Sequence, residues 1–475
     1  MAAEPVAGPA DLAQSWAATR RIPLVMAVVL FVASFDFSLE WSRTIHHQAA
    51  WSTPVDLWGT FEAASELAHG HLGAVYLPAF GVVPLPGILV ALLPVVVVVG
   101  VAHLTIGVPF SASAFPSAWL VVGPYATALA ATTLFAADAV ARHRDVPART
   151  RWLLATGVAV ALWNVLRFGH PELALGVALL LWAVDAALAG RWTRCGWLAG
   201  AAVALQPVTA LVVPLLAVAA ATEAGGIARG HTTARSARAA TARSLRAAAA
   251  LALRAATPGA ALLVGPLAAD TSRTLRAVLA QPSYPSIDHP TPWLALAPHL
   301  GPGTVATGPA RTIAVAAALA VAALLGRGAA ASPRRLLWAA AAALTGFAVF
   351  EPVMVAYYVF PGSCLALVAV AAPAAPVSLR HAAGRAGGPG LYATGRGAVN
   401  RGASGRLVVA VATVALLTWF TLVRLDGRWA WWAVVSAGML VLLTLAAGPA
   451  GFTSARERVW RAVRPGRRRP GAPAR

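Results

Sequence analysis

The sequence predicts an all-α fold, a polytopic integral membrane bundle of about twelve helices. Three observations predict it. Only 11% of the 475 residues are charged and 59% are hydrophobic, whereas a soluble domain carries roughly 25% charged residues. Mean hydropathy is +0.70. The apolar runs approach about 20 residues, the length that crosses a bilayer. They are continuous rather than alternating, as in VALLPVVVVVGVA and AVAAALAVAALLG. In lipid only helices or closed barrels satisfy the backbone, and unbroken runs select helices.

Taken in order, residues 1–21 are a polar, Pro/Ala-rich cytoplasmic start closed by Arg20 and Arg21, placed inside by the positive-inside bias. Span one, Ile22–Leu39, is read as retained rather than as a cleaved signal. It carries Asp36 near its outer mouth, next to Glu40. A large first extracytoplasmic loop, 40–80, follows, with His46, His47, His69 and His71. Within it, Leu57–Leu67 predicts an amphipathic helix lying on the membrane, with Leu57, Phe61 and Ala64 on its apolar face. Pro84-Leu85-Pro86 opens span two, Val82–His103, and span three covers Ala118–Val140. After the basic loop ARHRDVPARTR come span four, Trp152–Leu166, the break RFGHPE, and span five, Leu173–Leu188.

The next apolar stretch, Gly196–Ala221, is interrupted by Gln206-Pro207, and Glu223–Arg246 reads as an Arg-bearing cytoplasmic connector. Ala247–Ala268 leads to a second extracytoplasmic segment, 270–303, rich in Pro and His. Spans Thr312–Leu325, Leu336–Val349 and Val353–Ala372 follow. The Gly/Arg-rich segment 376–406 predicts a flexible cytoplasmic linker. A C-terminal transmembrane pair within 407–449 and a basic cytoplasmic tail, 450–475, complete the chain, with both termini inside the plasma membrane. One conflict stands. Twelve simple spans put the Arg-rich loop 142–151 outside, against the charge bias. A re-entrant piece within 81–115, or a hairpin folded at Gln206-Pro207, would repair it.

All 37 basic residues are Arg, and the formal net charge is +20. They sit in loops between apolar runs rather than on one soluble face, which argues against nucleic acid as a partner. The partner is the lipid bilayer, with the tail against anionic lipid. Cys195 and Cys364 lie in or beside apolar runs and form no framework or C-x-x-C pair.

Chemistry must come from the scarce polar residues. Asp36, Glu40, Asp56, Glu62 and Glu66 gather at one membrane face, where carboxylates are expensive unless solvated or functional. Asp56, between Pro54 and Trp58, is the leading candidate for a general base, since a semi-buried carboxylate beside lipid has its pKa raised toward a useful range. Asp36 is the second acid. Glu62 and Glu66, at i and i+4, share a helical face. Arg273 with Arg276, and Arg167 beside Gly169-His170, offer the planar fork that suits phosphate. The His spacings match no metal motif and no metal site is expected; no P-loop or dinucleotide fingerprint occurs.

Several segments, in order, resemble the membrane glycosyltransferases of GT-C fold, especially the actinobacterial GT87 group that uses polyprenyl-phosphate sugars. The matching segments are Val55-Asp56-Leu57, Ala63-Ala64, Gly70 with Tyr76, Pro84-Leu85-Pro86, Gly169-His170, Ala199-Gly200 to Gln206-Pro207, and Glu351-Pro352 to Tyr357-Tyr358. The resemblance covers residues 22–375, the implied catalytic region. His170 stands where the group has Gln, and Gln206 where it has Lys.

The resemblance implies a single-displacement transfer at the outer face. Asp56 takes the proton of a glycan or glycolipid hydroxyl, and polyprenyl phosphate leaves. Mannose or arabinofuranose is the implied sugar. Asp56 and Asp36 are the implied catalytic acids; Glu62, Tyr76, Arg167, His170, Gln206, Arg273, Arg276, Tyr357 and Tyr358 are the implied substrate contacts. No cofactor is implied, and a divalent cation stays open. Two other classes compete: a non-catalytic scaffold of the same fold, and a transporter or lipid flippase, which calls for ionisable residues at mid-span and related halves.

Overall fold

The computed structural model describes residue 17 and residues 19–44, 55–77, 85–105, 117–226, 234–279, 282–283, 289–297, 299–301, 304–306, 308–326, 332–372, 392–421 and 429–448. The polar start up to residue 16, His46-His47, Pro54, Pro84, the stretch 376–391 and the tail 450–475 lie outside the described residues. Among those described, the chain is almost entirely helical. Six helical segments are long and apolar enough to cross a membrane by length and composition: Arg21–Ser38, Trp119–His143, Pro171–Leu188, Pro207–Gly225, Ala237–Ala269 and Ala430–Ala447. Four shorter apolar helices accompany them.

Helices α1 (Arg21–Thr44), α2 (Val55–Ala68) and α3 (Gly87–Val101) lead into α4 (Trp119–His143), α5 (Ala148–Phe168) and α6 (Pro171–Leu188). Helices α4 and α6 run parallel. Thr133 Oγ1 donates to the Ala174 carbonyl at 2.7 Å, and further along His143 meets Asp185 at 2.9 Å. Helix α5 returns between their ends, and α1 runs alongside it, with Phe37 edge-on to Trp163 at 5.0 Å. The start of α1, the turn between α4 and α5, and the end of α6 therefore share one end of the bundle.

That end is rich in arginine, and two buried acids anchor it. Asp138 accepts from Arg142 Nε and Arg151 Nη1, both at 2.9 Å. Asp185 meets His143, with Arg144 at 3.8 Å and Arg191 at 4.0 Å. These two aspartates belong to a structural ion network. Burial pulls the Arg144 guanidinium below its usual range, against the pull of Asp185 and Asp145.

The remaining helices are α7 (Trp192–Leu205), α8 (Val213–Gly226), α9 (Ala234–Ala269), α10 (Thr271–Leu279), α11 (Gly308–Gly326), α12 (Pro333–Phe350), α13 (Phe360–Ala371), α14 (Tyr392–Phe420) and α15 (Ala430–Ala447). Helix α14 follows α5, with Thr150 on Ser404 at 3.2 Å and Thr421 on Asn164 at 2.9 Å. Helix α15 opposes α12: Arg334 caps the Ala446 carbonyl at one end and Trp432 reaches the Val349 carbonyl at the other.

Two elements do not run from end to end. Helices α7 and α8 fold back at Gln206-Pro207 through a 310 turn, Pro207–Val212. The hairpin leaves and returns at the arginine end, because Gly190 lies beside Glu223. It packs along α9, which has no room for a side chain at Gly200: a Cβ there would stand 2.7 Å from the Arg254 carbonyl oxygen. Helix α3 is the other. Ala91 lies opposite Tyr125 and Thr105 opposite Ser117, so α3 covers only the first part of α4. Gly87, where α3 begins, abuts Ala204 and Leu205 at the tip of the hairpin. The fold thus has a chain reversal at Gln206-Pro207 and a helix α3 that accompanies only the first part of α4.

Several expectations need correction. Asp56 is not in a loop; it lies in the first turn of α2. The apolar face of that helix exists, but Leu57, Phe61, Ala63 and Ala64 are buried in protein against α3 and the start of α4. An apolar stripe suits a protein groove as well as a lipid surface, and periodicity alone cannot separate them. The Arg-bearing connector is largely helix, since α8 runs to Gly226 and α9 starts at Ala234. Residues 392–406 of the expected linker are the beginning of α14. The span expected at Val353–Ala372 begins with strand β2 (Val353–Met354) and a 310 turn (Ala356–Val359), leaving twelve residues for α13. The segment 270–303 is not simple loop either: β1 (His289–Pro290) pairs antiparallel with β2.

Candidate active site

The α5–α6 junction is built by its own sequence. Helix α5 stops at Gly169, whose φ of 75° is left-handed, a conformation open to glycine at no steric penalty. The His170 amide then bonds the Val165 carbonyl and the Gly169 amide bonds the Leu166 carbonyl, which satisfies the last carbonyls of α5. Pro171 starts α6 at the position where its missing N–H does no harm. Arg167 and His170 thus fall on either side of a fixed turn.

His170 is the centre of the site. Its Nε2 stands 2.9 Å from Asp56 Oδ2 and its Nδ1 2.6 Å from Glu172 Oε1. Burial works against the charged ring, but the Glu172 charge, the hydrogen bonds to Asp56 and Glu172 and the Asp56 charge outweigh it, and the imidazole is pushed up to about 10. As an imidazolium it donates from both nitrogens, one to each carboxylate. Glu172 is 2% exposed on its side chain while Asp56 is 41% exposed, so the chain of three runs from the interior to open space. Asp56 Oδ1 takes no hydrogen bond among the described residues. Tyr357 stacks on His170 with ring centroids 3.8 Å apart, and Tyr358 stands edge-on to Tyr357 at 5.1 Å.

Beside this pair lies a small groove between α1, α4 and α5, partly open to solvent. Arg167 lines it together with Gly169 and Leu57, the neighbours of His170 and Asp56. The Arg167 guanidinium also lies 5.5 Å from the Phe168 ring.

Of the residues singled out from the sequence, Asp56, His170, Tyr357 and Tyr358 come together, and Arg167 adjoins them. The others sit apart or in other roles. Asp36 is exposed on α1, although Ser34, Phe37 and Ser38 on the same helix line the groove. Glu62 is half-buried on α2; desolvation and then the Glu66 charge raise it above the usual carboxylate range. Tyr76 packs against the cluster formed by α2, α3 and α4, and burial pushes its hydroxyl up to about 12. Gln206 forms the hairpin tip, its carbonyl accepting from Thr209. Arg273 pairs with Asp270 at 3.3 Å and donates to the Gly73 carbonyl at 2.7 Å, while Arg276 reaches the Ser272 carbonyl. Arg273 thus docks α10 on the turn after α2, while Arg276 bonds within its own helix.

Sequence reasoning missed Glu172, Ser34 and Trp119. Glu172 had a readable signal, an acid two residues after His170 in the first turn of an apolar helix. Ser34 and Trp119 had none, since their significance lies in their surroundings. Among the described residues no group of three His, Cys, Asp or Glu is placed to hold a metal ion. No family model matches the chain, and no curated protein matches it.

Proposed function

We propose that the protein is a membrane glycosyltransferase. It moves a sugar, mannose or arabinofuranose, from a polyprenyl-phosphate donor to a cell-envelope glycan or glycolipid, with Asp56 as general base. The observation that carries this is the ordered chain Asp56–His170–Glu172. A carboxylate at the end of the bundle away from the arginine-rich turns is held by one oxygen on a buried imidazolium; the side chain is 41% exposed, and its other oxygen takes no hydrogen bond among the described residues. A base must be oriented and reachable by the hydroxyl it deprotonates, and Asp56 meets both conditions.

The arginine-rich end is read as cytoplasmic by the positive-inside bias, which puts Asp56 on the outer face of the plasma membrane and both termini inside. The GT-C likeness also gains a physical account of its main departure. A Gln at position 170 would carry both of its donors on one nitrogen, whereas the imidazolium presents one on each side of the ring, toward Asp56 and toward Glu172. His170 and Glu172 go together as a pair. Gln206, at the hairpin tip, needs no role with a donor phosphate.

The test is transfer of radiolabelled sugar from polyprenyl phosphate in membranes. Asp56→Ala should lower transfer by about 10²- to 10⁴-fold, the usual range for a general base, and Asp36→Ala should leave it nearly intact. Full activity in Asp56→Ala would remove Asp56 from the role. No transfer from any lipid-linked sugar in the wild type would favour a scaffold.

A further inference from the structure

Thr291 lies between α10 and α11, and its hydrogen bonds reach a stretch of chain far from it in sequence. Its hydroxyl proton is shared between the Glu351 and Pro352 carbonyl oxygens, at 2.8 and 3.0 Å, and the same oxygen accepts from the Trp293 amide at 3.2 Å. The Thr291 amide also donates to the Pro352 carbonyl, at 3.2 Å. Thr291 is 1% exposed, so water does not compete for these bonds.

Other contacts fasten the same two pieces. Strand β1 pairs with β2, His289 opposite Met354 and Pro290 opposite Val353. Trp293 stacks on Phe350 with ring centroids 5.0 Å apart. Arg311 Nε, near the start of α11, donates to the buried Glu351 carboxylate at 3.0 Å. Residues 350–354 are thus clasped by residues 289–293 and by Arg311.

The clasp holds the approach to His170. Three residues beyond Met354, Tyr357 lies against the His170 ring, with centroids 3.8 Å and planes 35° apart. An aromatic face beside a charged imidazole favours the cation and keeps the ring from turning. Ring orientation matters here, because Nε2 and Nδ1 must each reach a different carboxylate, Asp56 and Glu172. A polar constellation keeps its geometry only when the residues behind it lock its rotamers.

We propose that Thr291 is a positioning residue for the Asp56–His170–Glu172 chain: it fixes β2, β2 places Tyr357, and Tyr357 holds the His170 ring in the plane that serves both acids. The bearing of this on catalysis rests on the transferase reading; the positioning itself does not. Loss of the Thr291 bonds lets Tyr357 recede and water reach the ring. Water relaxes both the burial that disfavours the imidazolium and the pull of the two acids. In the folded chain the acids outweigh burial, so the His170 midpoint falls.

The test is a pH titration of the full chain in neutral detergent, followed by ring-nitrogen NMR of labelled histidine, with the His170 signal identified by its loss in His170→Gln. Thr291→Val keeps the shape and removes the hydroxyl. It should lower the His170 midpoint by about half a unit or more, the scale of a ring–cation contact. Thr291→Ser keeps the hydroxyl and should titrate like the wild type. Tyr357→Leu should lower the midpoint at least as far as Thr291→Val, and Tyr357→Phe should not. His143, which meets Asp185 at the arginine end, should titrate unchanged in all four. If Thr291→Val does not fold, Trp293→Leu, which opens the same clasp at Phe350, should give the same fall. An unmoved His170 in Thr291→Val or in Tyr357→Leu overturns the proposal. An equal shift of His143 also overturns it, since that is general loosening rather than positioning. The readout is a titration, so a wild type without transferase activity leaves this result standing, and an unmoved His170 leaves the transferase assignment standing.

Discussion

Asp56 and His170 are 114 positions apart in the chain and 2.9 Å apart in the fold. One belongs to the first turn of α2, the other to the two-residue break between α5 and α6. Together with the Glu172 charge, which contributes more, their meeting sets the protonation behaviour of the site. Folding raises His170 from 6.5 to about 10, so the stabilisation from its charged form is complete below about pH 6.5 and fades as pH rises toward 10. The thermal midpoint of the wild type should fall across that window more steeply than that of His170→Gln. Parallel slopes would mean that His170 is neutral in the fold.

Removing the ring altogether strands a buried acid. His170→Ala leaves the Glu172 carboxylate without its cation, and breaking a buried pair by deleting one partner costs about 3–5 kcal/mol. The double variant His170→Ala/Glu172→Leu should recover part of that loss. Chemical denaturation of the three proteins checks it, and a double variant no more stable than the single one would contradict the pairing.

Gly169→Ala tests the turn that aims both Arg167 and His170. An L side chain in the left-handed region costs roughly 1–2 kcal/mol. Gly169→Asn should be milder, because asparagine visits that region more readily. The order Gly, Asn, Ala in thermal stability is the expected result.

Gly200→Ala tests the hairpin against α9. The added Cβ would meet the Arg254 and Ala255 carbonyl oxygens and the Pro258 ring at 2.7–2.9 Å. Backbone must shift to admit it, and overpacking of this kind costs about 1–3 kcal/mol. A stability unchanged from wild type would show that the hairpin stands off from α9.

The orientation of the bundle has its own check. Single cysteines replacing His71, 64% exposed on its side chain, and Arg149, exposed after the α4–α5 turn, should label oppositely in intact cells with an impermeant maleimide. His71→Cys should react at once and Arg149→Cys only after permeabilisation. Cys195 and Cys364, both buried and unpaired, should stay silent.

Much of the helical order was legible in the sequence, because apolar runs and Gly/Pro punctuation report local structure directly. Gly169 and Pro171 mark the α5–α6 break, and Gln206-Pro207 marks the hairpin. Asp56 stood out because acids are rare in this chain. Depth was not legible. The run Val82–His103 has the composition of a full crossing, yet α3 covers only part of α4, and this arises from contacts with Tyr125 and Leu205 that are distant in sequence.

The partial depth of α3 and of the α7–α8 hairpin bears on how the chain is assembled. Counted as full crossings, each would reverse the sidedness of the chain downstream of it, and the two reversals cancel by the time α9 begins. Only the segment between them is inverted, and that segment contains His170. A simple count therefore puts His170 and Asp56 on opposite sides of the bilayer. Helix α3 buries its apolar face against α2, α4 and Leu205, and Leu205 is synthesised more than a hundred residues after α3 begins. The packing of α3 is therefore completed only by residues that lie far downstream of it in the chain. Asp56 and His170 thus belong to a site whose scaffold includes the hairpin tip at Leu205, so the site is complete only when that hairpin has folded.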